Sequence, residues 1–256
     1  MSEHSPGSVG ASWVTNVKQE HFRAIIRTHL RIVGGIFRKH AWAERKYYFF
    51  DMNAGTGRDP LTGGPGSALV ALDEIERSGL RGDAILMEKN AKTYRELIAS
   101  IGGGEWSTRM QILPFSADHH EILPRWYSGN SNRFGLIYND NNGIPSFGLL
   151  AEASLSFPRI DFLINCPASA IKRDRNCSLT HGTKTLDEYR SAIRKEFWIV
   201  REPYYKWQWT FLIGTNWDSF PAFKKLGFYR LDSFEGREIY KVLNHTREEL
   251  QCLSRS

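Results

Sequence analysis

Short apolar runs recur along this chain, and each ends in an acid, an amide or a glycine. The first is the aromatic run at 47–50, closed by Asp51 and followed by the turn residues Asn53, Ala54, Gly55 and Gly57. Four successive apolar residues predict a strand covered on both faces, as in a parallel sheet. Gly64, Pro65 and Gly66 then lead into residues 68–75, whose apolar spacing predicts a helix with Ser67 as its N-cap. Further strands are expected at 83–88, 110–118, 134–140 and 160–165, ending in Glu88, Asp118, Asn139 with Asp140, and Asn165. A sixth is expected at 209–216, then a short helix from Phe220 to Leu226. Residues 228–243 read as two strands joined by a turn at 233–236. Upstream, residues 16–41 read as a helical region that Gly34 and Gly35 bend or interrupt.

Strand–helix alternation closed by a hairpin-like pair predicts an α/β fold with a Rossmann-like, class I methyltransferase layout. That layout is a mostly parallel, seven-stranded sheet with an antiparallel last strand and helices on both faces. Strand-end acids lie where open α/β sheets bind small molecules. Gly55 and Gly57 let the backbone turn tightly and approach a ligand that a Cβ would exclude. A carboxylate beside that turn suits a cation better than a phosphate, which calls for a lysine or a bare helix N-terminus. S-adenosylmethionine, with its ammonium and sulfonium charges, fits a site made from Asp51, Asn53, Ala54, Gly55 and Gly57. Glu88 is spaced to accept both ribose hydroxyls of such a cofactor. Asp118 is positioned either to accept from an adenine amino group or to cap the helix that follows it.

Composition narrows the partner. The chain of 256 residues is 41% hydrophobic, enough for one α/β core, so a single domain is expected over 12–256 after a disordered tail at 1–11. No apolar run approaches the roughly 20 residues that span a bilayer, so no membrane association is expected. Cys166, Cys177 and Cys252 show no zinc-like pairing, and an odd count argues against a disulfide framework. A reduced, cytoplasmic protein is the simple expectation. The net charge of +6 favours a polyanionic partner, either DNA or RNA. Basic residues gather in the N-terminal helix, including Lys18, Arg23, Arg27, Arg31 and Arg38. They gather again over 172–209, interleaved with aromatics, the composition of a nucleic-acid-binding insertion. Within it, 186–198 is expected to be a helix packing its aromatics on the core. Lys172, Arg173 and Arg175, directly after a strand end, are expected to touch substrate.

With these motifs laid out, the chain resembles the three-Cys-motif partner (TcmP) family from about Lys39 to the C-terminal strands. The residues that carry the resemblance begin with Tyr48–Asp51 and Ala54–Gly57, then Gly66–Leu69. Asp140-Asn141-Asn142-Gly143, Leu163–Asn165 and Ile171–Arg173 complete the set. The family's fourth-strand motif reads Asp-Pro-Phe-Gly or Asp-Pro-Asn-Gly, whereas Asn141 stands here in place of the proline. The resemblance implies a methyltransferase-like fold, S-adenosylmethionine binding at Asp51, Gly55, Gly57 and Glu88, and a protein partner.

The leading chemical reading is methyl transfer from S-adenosylmethionine to an exocyclic amine of adenine or cytosine, with Asn139, Asp140 and Asn142 aligning the acceptor. A base in a duplex would first be flipped out. The runner-up is a module that keeps the fold and works by binding nucleic acid or a partner protein, as the altered fourth motif suggests. Cys166 could serve as a pyrimidine nucleophile, but a small buried cysteine ending a strand is the preferred reading. His119 and His120 are read as loop residues rather than metal ligands because adjacent side chains diverge, so no metal is expected.

Overall fold

The aromatic run forms β1 (Tyr47–Asp51), buried at every position. In this computed structural model it is the hub of a sheet completed by β2 (Gly82–Met87), β3 (Met110–Phe115), β4 (Phe134–Asn139), β5 (Ile160–Pro167), β6 (Phe197–Arg201), β7 (Trp209–Thr215) and β8 (Phe228–Arg230). The structure describes residues 13–127, 132–141, 143–168, 170, 186–203, 209–218 and 221–244. The expected tail at 1–11, together with Asn142, Lys172, Arg173 and Arg175, lies outside them.

The strand order is β3-β2-β1-β4-β5-β7-β6-β8. β1 to β5 run parallel, while β7 is antiparallel to β5, β6 to β7 and β8 to β6. All carboxyl ends of β1 to β5 therefore open on one edge, the binding edge of such sheets. The α/β expectation with an antiparallel strand near the end holds, but eight strands replace the expected seven.

Eight α-helical segments flank the sheet among the described residues. They are α1 (Trp13–Lys39), α2 (Ser67–Ser78), α3 (Ala91–Gly102), α4 (His119–Ile122), α5 (Phe147–Ser156), α6 (Leu186–Ser191) and α8 (Phe234–Asn244), with the single turn α7 (Pro221–Lys224) between the last two. One face of the sheet buries Phe22, Ile26, Leu30 and Phe37 of α1 with Val70 and Ile75 of α2. The other buries Ile122, Leu150, Leu186, Ile239 and Leu243. No described helix is long and apolar enough to cross a membrane.

Several sequence expectations are corrected, each for a local reason. α1 runs unbroken through Gly34 and Gly35. Each apolar side chain it buries stabilises it by roughly 1.5–3 kcal/mol, against about 1 kcal/mol lost per helical glycine. Ser67 is not the N-cap of α2; Gly66 holds that place and the serine hydroxyl turns to Asp51. Residues 186–198 do not form one helix, because α6 ends at Ser191 and the apolar run that follows pairs as β6. The expected second strand of 228–243 is the helix α8. Its buried Ile239, Tyr240 and Leu243 follow helical spacing, and Ser233 Oγ accepts from Gly236 N at 3.1 Å at its start.

Candidate active site

Asp51 ends β1 with its carboxylate completely buried. It accepts from Ser67 Oγ at 2.7 Å and from Asn53 N at 3.1 Å, so it holds the glycine turn against the start of α2. The turn is pinned elsewhere too. Met52 N donates to Tyr138 O at 3.0 Å, Ala54 N to Met87 O at 3.0 Å, and Gly66 N to Gly57 O at 2.8 Å. Gly57 (φ 78°) packs on α3, where a Cβ would stand 3.0 Å from Ser100 Cβ. Gly55 differs. It also has a positive φ, 62°, but nothing lies within 4 Å of where its Cβ would be. The backbone there borders open space.

Glu88, one residue past β2, closes this cradle. Its Oε2 accepts from Gly55 N at 3.2 Å and its Oε1 from Asn90 N at 2.7 Å. Each carboxylate oxygen retains acceptor capacity. Asn53 Oδ1 is buried at the turn without a hydrogen-bond partner. Asp118 caps α4, accepting from His120 N at 2.9 Å. That is the capping role weighed against adenine contact.

Burial pushes the Asp51 carboxyl up to about 7, opposed by the Ser67 and Asn53 hydrogen bonds and reinforced by the charges of Asp140 and Glu88. Folded Asp51 thus holds its proton more tightly than unfolded Asp51. Its contribution to stability is full below the ordinary value of 3.8 and is lost as pH rises to about 7. Asp51→Asn, neutral at every pH, is expected to gain stability over the wild type by a few kcal/mol between pH 4 and pH 8. Urea midpoints at pH 4, 6 and 8 measure this, and a gap constant with pH would contradict it.

At the end of β4, Asn139 and the next residue, Asp140, turn to different partners. Asn139 is buried and organises the loop behind it: its Oδ1 accepts from Ser146 N at 3.3 Å and its Nδ2 donates to Asn141 Oδ1 at 3.3 Å. Asn141, standing where the motif of the resembled family has a proline, donates to Ile144 O at 3.1 Å and Ser146 Oγ at 2.8 Å. Asp140 is engaged at both oxygens. Lys18 Nζ of α1 lies 2.6 Å and Tyr138 Oη 3.0 Å from Oδ2, while Asn165 Nδ2 donates to Oδ1 at 2.6 Å. Lys18 and Asn165 are partners that the sequence reading did not assign to Asp140.

His119 was also missed. It is buried, with Nδ1 3.1 Å from Met52 O and Nε2 2.8 Å from Ser146 Oγ. A carbonyl can only accept, so Nδ1 carries the proton and Nε2 accepts from the hydroxyl. Burial pushes this imidazole below its ordinary value, in keeping with a neutral ring. Only its place after a strand-end acid could have hinted at this. Asp118, His119 and His120 bring ligand atoms within 4.8 Å of one another. The two rings do not diverge as expected but lie 4.7 Å apart. An ion taken up by this trio would have to displace the Ser146 hydroxyl from His119 Nε2.

Some of the basic side chains are engaged within the fold. Glu74 holds Arg23 at 3.0 Å and Arg27 at 2.8 Å, while Lys195 is buried with Nζ donating to Phe157 O at 2.8 Å. Trp198 and Trp209 are buried as well. Cys166 is buried and its thiol is pushed up to about 12 by burial, a setting for an inert cysteine rather than a nucleophile.

No protein-family model and no curated protein matches this chain. Solved structures do. Protein LPL1258 of Legionella pneumophila, assigned to family model DUF519, is similar over 80% of this chain and 89% of its own, with a TM-score of 0.52 and 15% identity. Trm1 of Pyrococcus horikoshii, solved with S-adenosyl-L-methionine, is similar over 79% of this chain with a TM-score of 0.50 and 11% identity. This chain covers 55% of that one, about half its length. Such likeness concerns the fold, which is Rossmann-like and of the class I methyltransferase type. The resemblance to the three-Cys-motif partner family rests on the sequence motifs alone.

Proposed function

We propose that this chain is an S-adenosylmethionine-dependent methyltransferase acting on a base of DNA or RNA, with an exocyclic amine of adenine or cytosine as acceptor. The observation that carries the reading is the cradle at Gly55. Its backbone faces open space at positive φ, beneath an anchored Asp51 and beside Glu88. The donors and acceptors fit the cofactor. Asn53 Oδ1, buried and without a partner, suits an ammonium N–H, and the spare acceptor capacity of Glu88 suits ribose hydroxyls. When bound, S-adenosylmethionine supplies an electrophilic methyl group. Asp51 keeps the turn in shape through Ser67 and Asn53, and Asp118, which caps α4 through one oxygen, would offer its remaining acceptor capacity to the adenine amine. The base would approach from the β4 and β5 ends, with Lys172, Arg173 and Arg175 as expected phosphate contacts. By resemblance to the three-Cys-motif partner family, a protein partner belongs to the same reading.

A second reading, a nucleic-acid or protein-binding module without turnover, is favoured by one observation. Asp140 already has both carboxylate oxygens occupied by Lys18, Tyr138 and Asn165. Incubation with methyl-tritiated S-adenosylmethionine and unmodified RNA and DNA pools separates the two. Label in a nucleic-acid fraction is the expected result. Cofactor binding without transfer to any pool would favour the module.

A further inference from the structure

Asn165 presents one of five buried side-chain acceptors without a donor among the described residues, and with Asn53 it is one of the two that are strand-end or turn amides at the carboxyl edge. The residue is 6% exposed, and its Oδ1 has no hydrogen-bond partner. Its orientation is determined by chemistry. Nδ2 donates to Asp140 Oδ1 at 2.6 Å, and a carboxylate accepts but does not donate, so the amide nitrogen must face Asp140. Asp140 is itself held by Lys18 and Tyr138. Asp140, held in place by Lys18 and Tyr138, thus fixes the Asn165 amide nitrogen and leaves its oxygen on the other side. A buried amide oxygen left without a donor costs about 1–3 kcal/mol, which a ligand N–H would recover.

The position suits an acceptor base. Asn139 of β4 pairs with Ile164 of β5, so Asn165 stands level with Asp140 on the carboxyl edge. Adjacent strands are about 4.8 Å apart, so β5 lies roughly 10 Å across the edge from β1 and its Gly55 turn. A carbonyl or phosphate oxygen in that place would face another acceptor, whereas a primary amine supplies the missing donor.

We infer that Asn165 receives the exocyclic amine of the acceptor base, a role the sequence assigns to the neighbouring Asn139 and Asp140. The inference rests on the methyltransferase reading. Asn165 accepts one amine N–H and so aims the nitrogen lone pair at the methyl carbon. That lone pair forms the N–C bond as the C–S bonding pair leaves on sulfur. The methylated amine then sheds one proton to solvent water, and the weakly basic amide takes none. Asp140 and Lys18 act here as positioning residues.

The test is calorimetric titration of the full chain with S-adenosylhomocysteine and with sinefungin, an analogue carrying an amine in place of the transferable methyl. The wild type is expected to bind sinefungin about tenfold more tightly than S-adenosylhomocysteine. Asn165→Leu is expected to keep its S-adenosylhomocysteine affinity within about twofold and to lose the sinefungin preference. Retained S-adenosylhomocysteine binding also reports that the variant is folded. Asp140→Asn, which frees the Asn165 amide to turn over, is expected to weaken the preference, and it serves as the test if Asn165→Leu does not fold. An undiminished preference in the variant overturns the assignment. Failure of the folded wild type to bind S-adenosylhomocysteine overturns the methyltransferase reading itself.

Discussion

Gly135→Ala is expected to lose at least about 3 kcal/mol of stability, a large share of the 5–15 kcal/mol typical of a domain. Gly135 pairs with Tyr48 where β4 meets β1, and a Cβ there would stand 1.8 Å from the Tyr48 carbonyl oxygen. That neighbour is backbone in the middle of the sheet, so it cannot swing aside as a side chain can. Relief would require β4 to move away from β1, breaking the parallel ladder that brings Asn139 and Asp140 alongside Asp51. The expected measurement is a much lower urea midpoint or mostly insoluble protein. A variant within about 1 kcal/mol of the wild type would mean that the two strands pair differently.

Gly55→Ala is expected to separate binding from folding. The new methyl group would meet no protein atom within 4 Å, and a non-glycine residue at φ 62° costs only about 1 kcal/mol. Thermal stability should therefore fall by a few degrees at most. Affinity for S-adenosylmethionine should fall by about tenfold or more, because the methyl enters the space assigned to the cofactor. Equal affinity in the two proteins would move the cofactor away from this turn. The contrast with Gly135 is physical: one glycine is needed by the sheet, the other by what the sheet binds.

The parallel half of the fold was legible because its strands are short apolar runs closed by polar residues. β1 through β5 follow that pattern directly. The last third was less legible. The run at 197–201 follows a helix and reads equally well as that helix's aromatic face, so only its pairing with β7 and β8 identifies a strand. Residues 234–244 mix charged and apolar positions in a way that suits a strand pair until Ser233 starts a helix.

Site residues were legible as positions rather than as contacts. A strand-end acid can be found from periodicity, but periodicity does not reveal what the acid bonds. Asp51 turns inward to Ser67, and Asp140 meets Lys18 across 122 residues of sequence. Nor could sequence reveal that Asn165 Oδ1 is left over once Asp140 has taken the amide nitrogen. Such facts depend on which side chains α1, β4 and β5 bring together on the same edge.

Calorimetric titration of the 256-residue chain with S-adenosylmethionine tests the central claim most directly. One site per chain with a dissociation constant in the micromolar range, about −8 kcal/mol at 1 μM, is the predicted result. A folded chain that gives no binding signal up to about 1 mM ligand would contradict the account.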